Sequence, residues 1–368
     1  MLNDKNIYFD HNATFPIYHE VKKDMMNLMS YPLNPSSIHN FGRCAKNILE
    51  NSRNIIKNFL NAENNYNIIF TSSGTEANNL ALKSFPNLFK IASKIEHPSV
   101  LKITGTGIIP VNSNGIIVLS ELENLLKKIG KKTLVSVIFA NNETGVIQPI
   151  SDIINIAHKY DSLVHTDAVQ IVGKEDININ KLNVDLMTIS AHKFGGPNGA
   201  GCLIYKKNLE LSPILLGGGQ EFKIRSGTQN LPAIHGFAKA CQISASHMNK
   251  FNKVEILRDY IEHSLKLIDN NIIIFGKNAT RLSNTSSISM KKVSSEIQVI
   301  HFDINGVAVS AGSACSSGKV TSPYVQLAMG YSQSIANTAI RISLGPSNTK
   351  EEADKFISLW KNLYKKNN

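Results

Sequence analysis

Cysteine is scarce in this sequence, and the four cysteines, Cys44, Cys202, Cys241 and Cys315, are far apart along the chain. No two of them form a Cys-x-x-Cys pair, which argues against a disulfide scaffold and against a zinc ribbon. Apolar runs are also short, since none approaches the roughly 18–20 residues that a membrane-spanning helix needs. We therefore expect neither a bound metal nor a membrane segment.

Targeting signals are missing from the first residues as well. Residues 1–14, MLNDKNIYFDHNAT, contain neither a basic segment followed by an apolar stretch nor an amphipathic segment rich in Arg and Ser. The chain enters strand-like sequence at once. The sequence therefore predicts a cytoplasmic protein.

Positive charge exceeds negative charge, with 39 Lys and Arg against 28 Asp and Glu and a net charge of +11. The lysines occur in scattered pairs such as Lys127-Lys128. No basic run is interleaved with aromatic residues, as a groove for single-stranded nucleic acid would require. We interpret the excess as solvated surface and expect no direct nucleic-acid binding. An acidic protein partner is an open alternative.

The length of 368 residues suits two domains, or one large domain with an appendage. From about residue 15 to about residue 250, apolar strands alternate with helical stretches, and strands are predicted at 67–70, 134–139, 162–166 and 185–190. Apolar strands that each end in polar residues are typical of a mainly parallel sheet covered on both faces. The pattern predicts a large α/β domain over residues 14–250.

The pattern changes after about residue 250. A predicted helix at 254–267 is followed by strand-like segments at 271–275, 286–290, 296–302 and 339–344, and a closing helix begins at Thr349. We expect a smaller α+β domain formed by residues 251–368 together with residues 1–13.

Polar residues follow the predicted strands, and parallel sheets bind ligands at the carboxyl ends of their strands. The segment 73–76 (SGTE) lies between a strand and a helix, where main-chain N–H groups can bind phosphate, although a plain capping turn explains it as well. Asp167 ends a strand and precedes Gln170. A buried carboxylate there needs a cationic partner such as a protonated pyridine nitrogen, with a helix cap as the alternative.

Lys193 lies in the segment 190–197 (SAHKFGGP), just beyond a predicted buried strand. A surface charge explains this setting poorly, whereas a lysine that forms a Schiff base fits it, with Ser190 and His192 within reach of a phosphate. His97 follows the predicted strand 90–95. A lone histidine is usually structural, so His97 gains weight only from these neighbours.

Cys315 has small residues on both sides, in the segment 310–319 (SAGSACSSGK). Such a segment predicts a mobile loop that leaves the thiol unobstructed, and we interpret Cys315 as a reactive cysteine. The other cysteines lie in helix-like or strand-like sequence and are expected to be buried.

Taken together, these motifs resemble those of the NifS/IscS-type cysteine desulfurases, which are pyridoxal 5'-phosphate (PLP) enzymes of fold type I. The resemblance runs nearly end to end, and the cysteine segment is similar to that of the subclass with a long mobile cysteine loop. The matching motifs are YFDHNAT (8–14), NPSSIHNFGR (34–43), FTSSGTEANNLAL (70–82), EHPSV (96–100), NNETGVIQPI (141–150), HTDAVQ (165–170), SAHKFGGPNGAG (190–201), GGGQE (217–221), RSGTQN (225–230), SAGSACSSGK (310–319) and RISLG (341–345).

The resemblance implies an enzyme that converts L-cysteine to L-alanine and holds the sulfur as a persulfide on Cys315. It implies that Lys193 binds PLP covalently and acts as the base at Cα. Asp167 would pair with the pyridine nitrogen. His97 would stack on the ring and help to move protons.

Further roles follow from the same resemblance. Gln170 and Asn142 would approach the phenolic oxygen of PLP, and Arg341 would grip the substrate carboxylate, with Asn34 and Asn142 near it. The cofactor phosphate would be held by residues of three segments, the last contributed by the neighbouring subunit of a homodimer. These residues are Gly74, Thr75, Ser190, His192 and Thr228.

The chain departs from the family's pattern at Phe222 and Lys223, where a basic residue and a glycine are usual, and this leaves the shape of that loop open. The sulfur acceptor is also open. It could be an iron–sulfur scaffold, a tRNA-thiolation route or a nitrogenase-dedicated one. Alternative functions are a related PLP lyase that acts on selenocysteine or cysteine sulfinate, and a catalytically inactive scaffold for iron–sulfur assembly.

Overall fold

The computed structural model describes residues 6–62, 64–105, 107–311 and 322–367, so Cys315 lies outside the described residues. The strands are β1 (Ile7–Tyr8), β2 (Tyr66–Thr71), β3 (Phe89–Ser93), β4 (Ile108–Ile109), β5 (Thr133–Ile138), β6 (Leu163–Asp167), β7 (Leu186–Ser190), β8 (Gly201–Lys206), β9 (Thr285–Ser289), β10 (Val307–Ala308) and β11 (Ala339–Ser343). The helices are α1 (His19–Met29), α2 (Asn40–Phe59), α3 (Gly74–Lys83), α4 (Pro98–Thr104), α5 (Leu119–Ile129), α6 (Ile150–Lys159), α7 (Ile179–Leu182), α8 (Leu231–His247), α9 (Phe251–Ile268), α10 (Ser295–Ile304), α11 (Tyr324–Ala328), α12 (Gln333–Ala336) and α13 (Lys350–Asn367).

A seven-stranded sheet has the order β2-β8-β7-β6-β5-β3-β4. Strand β8 is antiparallel to both of its neighbours, and the other pairings are parallel. The predicted α/β fold with a mainly parallel sheet is therefore confirmed. Strands β2, β3, β5, β6 and β7 all run in the same direction, so their carboxyl ends lie along one edge.

Helices cover both faces of this sheet. Side chains alternate along a strand, so neighbouring residues enter different layers. Ile68 and Met187 belong to one buried cluster, whereas Ile69 and Leu186 belong to another. Two apolar layers explain why these strands are apolar throughout and do not alternate with polar residues.

A separate buried cluster joins the N-terminal residues to the C-terminal part of the chain. Phe9 packs with Phe356, which stacks on Phe302 with ring centroids 4.7 Å apart. Strand β1 pairs with β10, and β9 pairs in antiparallel fashion with β11. Among the described residues, no helix combines the length and the apolar character that crossing a membrane requires.

Two strand predictions in this C-terminal part are wrong. The segment 271–275 has no continuous strand, with a single bridge from Ile274 to Ile288. The segment 296–302 is helix α10, whose buried residues Ser295, Gln298 and Phe302 follow a helical spacing. Its β-branched residues favoured a strand, but the hydroxyl of Ser294 caps the helix by accepting the N–H of Ile297.

Candidate active site

The polar residues predicted to follow the strands lie at the shared carboxyl edge of the sheet. Each comes from the turn after a different strand, because β2, β3, β5, β6 and β7 all end there. In strand order these residues are Gly74 and Thr75, His97, Asn142, Asp167 with Gln170, and Ser190 with His192 and Lys193.

Lys193 lies in a single turn of 3-10 helix that begins directly after β7. Its Nζ atom donates hydrogen bonds to the main-chain carbonyls of Asn12, at 2.6 Å, and Ala13, at 2.9 Å. Burial, followed by the charge of Arg341, lowers the pKa of Lys193 to about 8, against the opposing charges of Asp10 and Asp167. About a tenth of the amines are therefore uncharged and nucleophilic at pH 7.

The buried carboxylate of Asp167 ends strand β6. Its Oδ2 accepts a hydrogen bond from Asn78 Nδ2 at 2.7 Å, and its Oδ1 accepts one from the N–H of Val169 at 3.0 Å. The charge of Asp167 raises the pKa of both Lys193 and His97. Asp167 is thus a fixed negative charge at the centre of the site.

His97 caps helix α4, and a hydrogen-bonded chain joins it to Asp167. Its Nδ1 accepts the N–H of Ser99 at 3.1 Å and lies 2.8 Å from the Ser99 hydroxyl. That hydroxyl accepts the second N–H of the Asn78 amide at 2.9 Å. Desolvation lowers the pKa of His97, and the charge of Lys193 lowers it further, against the effect of Asp167. The ring is therefore neutral, and because its Nδ1 accepts a hydrogen bond, its proton is on Nε2.

A small cradle lies where β2 turns into α3. Gly74 packs so closely on its neighbours that an added Cβ would lie 3.0 Å from Val169 Cγ2 and 3.5 Å from Ser190 Cβ. The hydroxyl of Ser190 is buried and has no hydrogen-bond partner among the described residues. Thr75 is exposed at the start of α3. A helix N-terminus beside an unpaired hydroxyl is suited to a phosphate.

His192 lies next to Lys193, and its Nδ1 is 3.3 Å from the Thr14 hydroxyl. Burial, followed by the charge of Lys193, lowers the pKa of His192 to about 4. The ring is therefore neutral at physiological pH and can offer an N–H to an anion without carrying a charge.

Arg341 lies in the middle of β11, with its side chain buried. Its Nη2 forms an ion pair with Asp10 Oδ1, and its Nη1 donates to the main-chain carbonyl of Asn142 at 2.9 Å. The Nε of Arg341 and the Oδ1 of Asn142 are buried without a described partner. Both atoms are therefore available to a ligand.

Two predicted site residues make no described contact with the others. Asn34 is exposed, and its Oδ1 accepts the N–H of Ser36 within its own loop. Thr228 is exposed on the surface of its own chain.

The cysteine environments correct one expectation. Cys44 is exposed and not buried as expected, because it lies on the face of α2 opposite the buried Ala45 and Leu49. Cys202 and Cys241 are buried, and burial raises the pKa of both thiols well above the usual value. Neither buried thiol is suited to nucleophilic attack.

The loop at Phe222 and Lys223, where the chain departs from the family's pattern, has unusual backbone angles. Glu221, Phe222 and Lys223 have φ values of 41, 58 and 66°, in the region that favours glycine. The buried Glu221 carboxylate pairs with Arg53, whose guanidinium lies 4.8 Å from the Phe70 ring centroid and 5.0 Å from that of Phe222. Lys223 itself adopts a conformation typical of the glycine that is usual there.

Sequence reasoning missed three residues at this site. Asp10 and Asn12 were part of a matched motif, but no role was predicted for either. The buried Lys174 was not considered. A lysine among apolar residues, four positions after Gln170, was a usable signal. The contacts of Asp10 and Asn12 join residues more than 100 positions apart, so no local pattern indicates them.

The residues present fit PLP. The unpaired Ser190 hydroxyl beside the α3 N-terminus suits a phosphate, and the Asp167 carboxylate suits a protonated ring nitrogen. Lys193 supplies an amine whose pKa is low enough for Schiff-base chemistry.

Comparison with known proteins agrees with this geometry. The model of the Aminotransferase class-V family matches residues 7–356. Cysteine desulfurase IscS of Dictyoglomus turgidum is 36% identical, covering 98% of this chain and 95% of that protein. Cysteine desulfurase IscS of Methanosarcina thermophila is also 36% identical, with 97% and 91% covered. The structure of a NifS-like protein from Rickettsia africae has a TM-score of 0.92 and 39% identity, covering 98% of this chain and 99% of that one.

The chain belongs to the class-V aminotransferase family, whose members are PLP-dependent enzymes of this fold. Within that family it groups with the cysteine desulfurases, to which it is similar over nearly their whole length.

Proposed function

We propose that this chain is a cysteine desulfurase that converts L-cysteine to L-alanine and takes the sulfur as a persulfide on Cys315. The observation that carries the proposal is the convergence of Lys193, Asp167 and Arg341 at one edge of the sheet. Together they provide an amine that can bind a carbonyl group, a fixed negative charge and a carboxylate receptor.

PLP, when bound, withdraws electrons from the substrate Cα. Asp167 would pair with the protonated ring nitrogen, and the N–H groups of Asn78 and Val169 hold its carboxylate in place. Lys193 holds the cofactor at rest and then acts as the base at Cα, a role suited to an amine with a pKa of about 8. His97 would lie against the ring and would have its Nε2 proton to offer, because its Nδ1 contacts Ser99.

The substrate carboxylate binds Arg341. The ion pair with Asp10 fixes the plane of the guanidinium, and the buried Nε, which has no described partner, is available to a carboxylate oxygen. The Oδ1 of Asn142, also buried and unpaired, accepts an N–H or O–H of the bound molecules. The resemblance to the family is the only support for placing Asn34 near the same carboxylate.

The thiolate of Cys315 attacks the sulfur of the substrate. An S–S bond forms, the Cβ–S bond breaks, and its electron pair stays with the carbon skeleton that becomes alanine. Cys315 lies outside the described residues, so this role rests on its sequence context. The high pKa values of Cys202 and Cys241 support it by removing two competitors.

The active form is a homodimer in which Thr228 of one subunit contacts the cofactor phosphate of the other. The exposure of Thr228 supports this, as do the exposed apolar residues of the same loop, Leu215, Leu216 and Phe222. Mixing Lys193→Ala and Thr228→Ala subunits, each inactive alone, would restore activity by forming one intact site. No gain despite proven subunit exchange would contradict the shared site.

Three broader assignments complete the proposal. Residues 14–250 form the large domain, and residues 1–13 with 251–368 form the small one; the separate cluster around Phe9 and Phe356 supports this division. The free thiols at Cys44, Cys202 and Cys241 suit the reducing cytoplasm. The persulfide sulfur passes to an iron–sulfur scaffold or another acceptor protein, for which the names of the IscS relatives give the only support.

Borohydride reduction of the purified protein, followed by peptide mapping, tests the central assignment. Reduction fixes PLP on the lysine that holds it, and the proposal expects that lysine to be Lys193. Lys174 is the sharpest internal control, because its amine also donates to Asn12. PLP fixed on Lys174, or on any other lysine, would overturn the assignment.

A further inference from the structure

Lys174 is a buried lysine without an anionic partner. Its side chain is 3% exposed, and no carboxylate of the described residues forms an ion pair with it. Its Nζ donates two hydrogen bonds, both of 3.1 Å, to Asn12 Oδ1 and Gln170 Oε1. Burying an unpaired ammonium group costs free energy, so an apolar residue would fit this place better unless the amine has a task.

The contacts with Lys174 and with the Asn12 carbonyl favour the same orientation of the Gln170 amide. A glutamine amide can be flipped, since its oxygen only accepts and its nitrogen only donates. A lysine amine at hydrogen-bond distance donates and therefore selects the oxygen. The Nε2 of Gln170 then points the other way, where it donates to the main-chain carbonyl of Asn12 at 3.0 Å.

Asn12 connects this pair to Lys193. The same Asn12 carbonyl that accepts from Gln170 also accepts from Lys193 Nζ at 2.6 Å. The side-chain oxygen of Asn12 accepts from Lys174 and from Asn284 Nδ2, the latter at 3.1 Å. Lys174, Gln170, Asn12 and Lys193 therefore form one continuous hydrogen-bonded network within the site.

We propose that Lys174 is a positioning residue, which turns the Gln170 amide so that its N–H group faces the cofactor. The inference rests on the proposed role of Gln170 as a donor to the phenolic oxygen of PLP. Without Lys174, the Gln170 amide could turn its Oε1 toward the phenolic oxygen of PLP, and two acceptors would then face each other.

Lys174 can donate both of its hydrogen bonds without a charge. Burial, followed by the charges of Lys193 and Arg341, lowers the pKa of Lys174 well below its usual value. A neutral amine has two N–H groups, which is the number of hydrogen bonds that Nζ donates here, and one lone pair that can accept. In the neutral state the Asn12 carbonyl, which can only accept, helps to keep the Nε2 of Gln170 turned away from Lys174.

The affinity of the apoprotein for PLP tests the proposal, with the visible absorbance of the bound cofactor as the readout. Lys174→Met removes both donors at similar volume and should weaken PLP binding about tenfold, the ratio that corresponds to about 1.4 kcal/mol, or roughly one buried hydrogen bond. Gln170→Leu should weaken it to a similar extent. The double variant should be no weaker than Gln170→Leu, since Lys174 acts through Gln170.

Lys90→Met is the matched control. The Lys90 amine likewise donates to two carbonyl oxygens, of Phe85 and Leu88, each at 3.0 Å, but it lies at the opposite end of the sheet at the start of β3. This variant should bind PLP as the parent does. A Lys174→Met protein that also binds like the parent, or losses that add up in the double variant, would overturn the proposal. Parent-like binding by Gln170→Leu would instead contradict the proposed role of Gln170.

A second measurement does not depend on whether Lys174→Met folds. Nuclear Overhauser contacts of the Gln170 side-chain amide can be measured in the parent protein with selectively labelled glutamine. The proposal expects the amide hydrogens to contact Asn12 and not the ε-methylene of Lys174. Strong contacts to that methylene would show the opposite amide orientation and would overturn the proposal.

Discussion

The Nη2 atom of Arg341 lies 2.6 Å from Oδ1 of Asp10, and this ion pair joins strand β11 to the residues that follow β1. Through it, a carboxylate already holds one side of the guanidinium before any substrate binds. The same two charges act on Lys193, with Arg341 lowering and Asp10 raising its pKa. The geometry of substrate binding and the reactivity of Lys193 are therefore linked.

Arg341→Lys tests the carboxylate receptor. The variant keeps the positive charge but loses the planar fork that can bind Asp10, the Asn142 carbonyl and a substrate carboxylate together. We expect KM for L-cysteine to rise at least about tenfold, while the absorbance of bound PLP in the resting enzyme stays the same. Arg258→Lys, at a buried arginine that donates to the Leu282 carbonyl, should leave KM unchanged. An unchanged KM in Arg341→Lys would contradict the role.

Two variants should shift the reactivity of Lys193 in opposite directions. Only the neutral amine attacks PLP, so the rate of PLP attachment to the apoprotein should rise with pH, with a midpoint near the Lys193 pKa of about 8. Asp10→Asn removes a charge that raises this pKa and should move the midpoint to lower pH. Arg341→Gln removes a charge that lowers it and should move the midpoint to higher pH. Shifts of the same sign would contradict this account of the electrostatics.

Lys223→Gly should stabilise the protein. Lys223 has a φ of 66°, a conformation that costs an L-residue about 1–2 kcal/mol, and glycine adopts it freely. Glycine also loses more entropy on folding, so we expect a net gain of about 0.5–1 kcal/mol in the free energy of unfolding, measured by urea denaturation. Lys207→Gly, in the turn after β8 with no positive φ, is the control and should not stabilise. A lower free energy of unfolding in Lys223→Gly would mean that the stabilisation by the lysine side chain is larger than the backbone strain that glycine relieves.

The buried Glu96 gives a pH-dependent prediction. Burial raises its pKa to about 8, so the folded protein holds a proton that the unfolded chain releases near pH 4.5. The parent should therefore lose stability relative to Glu96→Gln as pH rises from about 5 to about 8, at up to about 1.4 kcal/mol per pH unit, and the difference should level off above that.

Glu262 is the opposing control for Glu96. It is equally buried, but hydrogen bonds and charge from Arg281 outweigh desolvation and lower its pKa. Glu262→Gln should be less stable than the parent throughout pH 5 to 8, as measured by denaturation at three pH values. A difference between Glu96→Gln and the parent that does not change with pH would contradict the raised pKa.

The sequence was most informative where the chemistry is local to one turn. Lys193 and Asp167 each follow an apolar strand, so their positions at the sheet edge could be predicted from the strands alone. Arg341 lies within a strand far along the chain, and only the resemblance to a family indicated its role. Asn12 and Lys174 were missed because their contacts depend on how distant segments pack.

The wrong strand prediction at 296–302 has a similar origin. Helix α10 places Ile297, Ile300 and Ile304 on an exposed face and buries Gln298, which inverts the usual pattern. The Nε2 of Gln298 donates to the main-chain carbonyls of Val293 and Thr338, the second of which belongs to a segment 40 residues away. No local pattern could have indicated that pairing.

The most direct test of the central claim is the location of sulfur after turnover, read by mass spectrometry of the protein after incubation with L-cysteine and no reductant. We expect the persulfide on Cys315, with alanine formed in step with it, and we expect Cys315→Ser to bind L-cysteine but release almost no alanine. Cys44→Ser, which removes the exposed thiol of α2, should behave as the parent. If Cys315→Ser still released alanine as fast as the parent, Cys315 would not be the acceptor, and a lyase that needs no acceptor thiol would explain the site better.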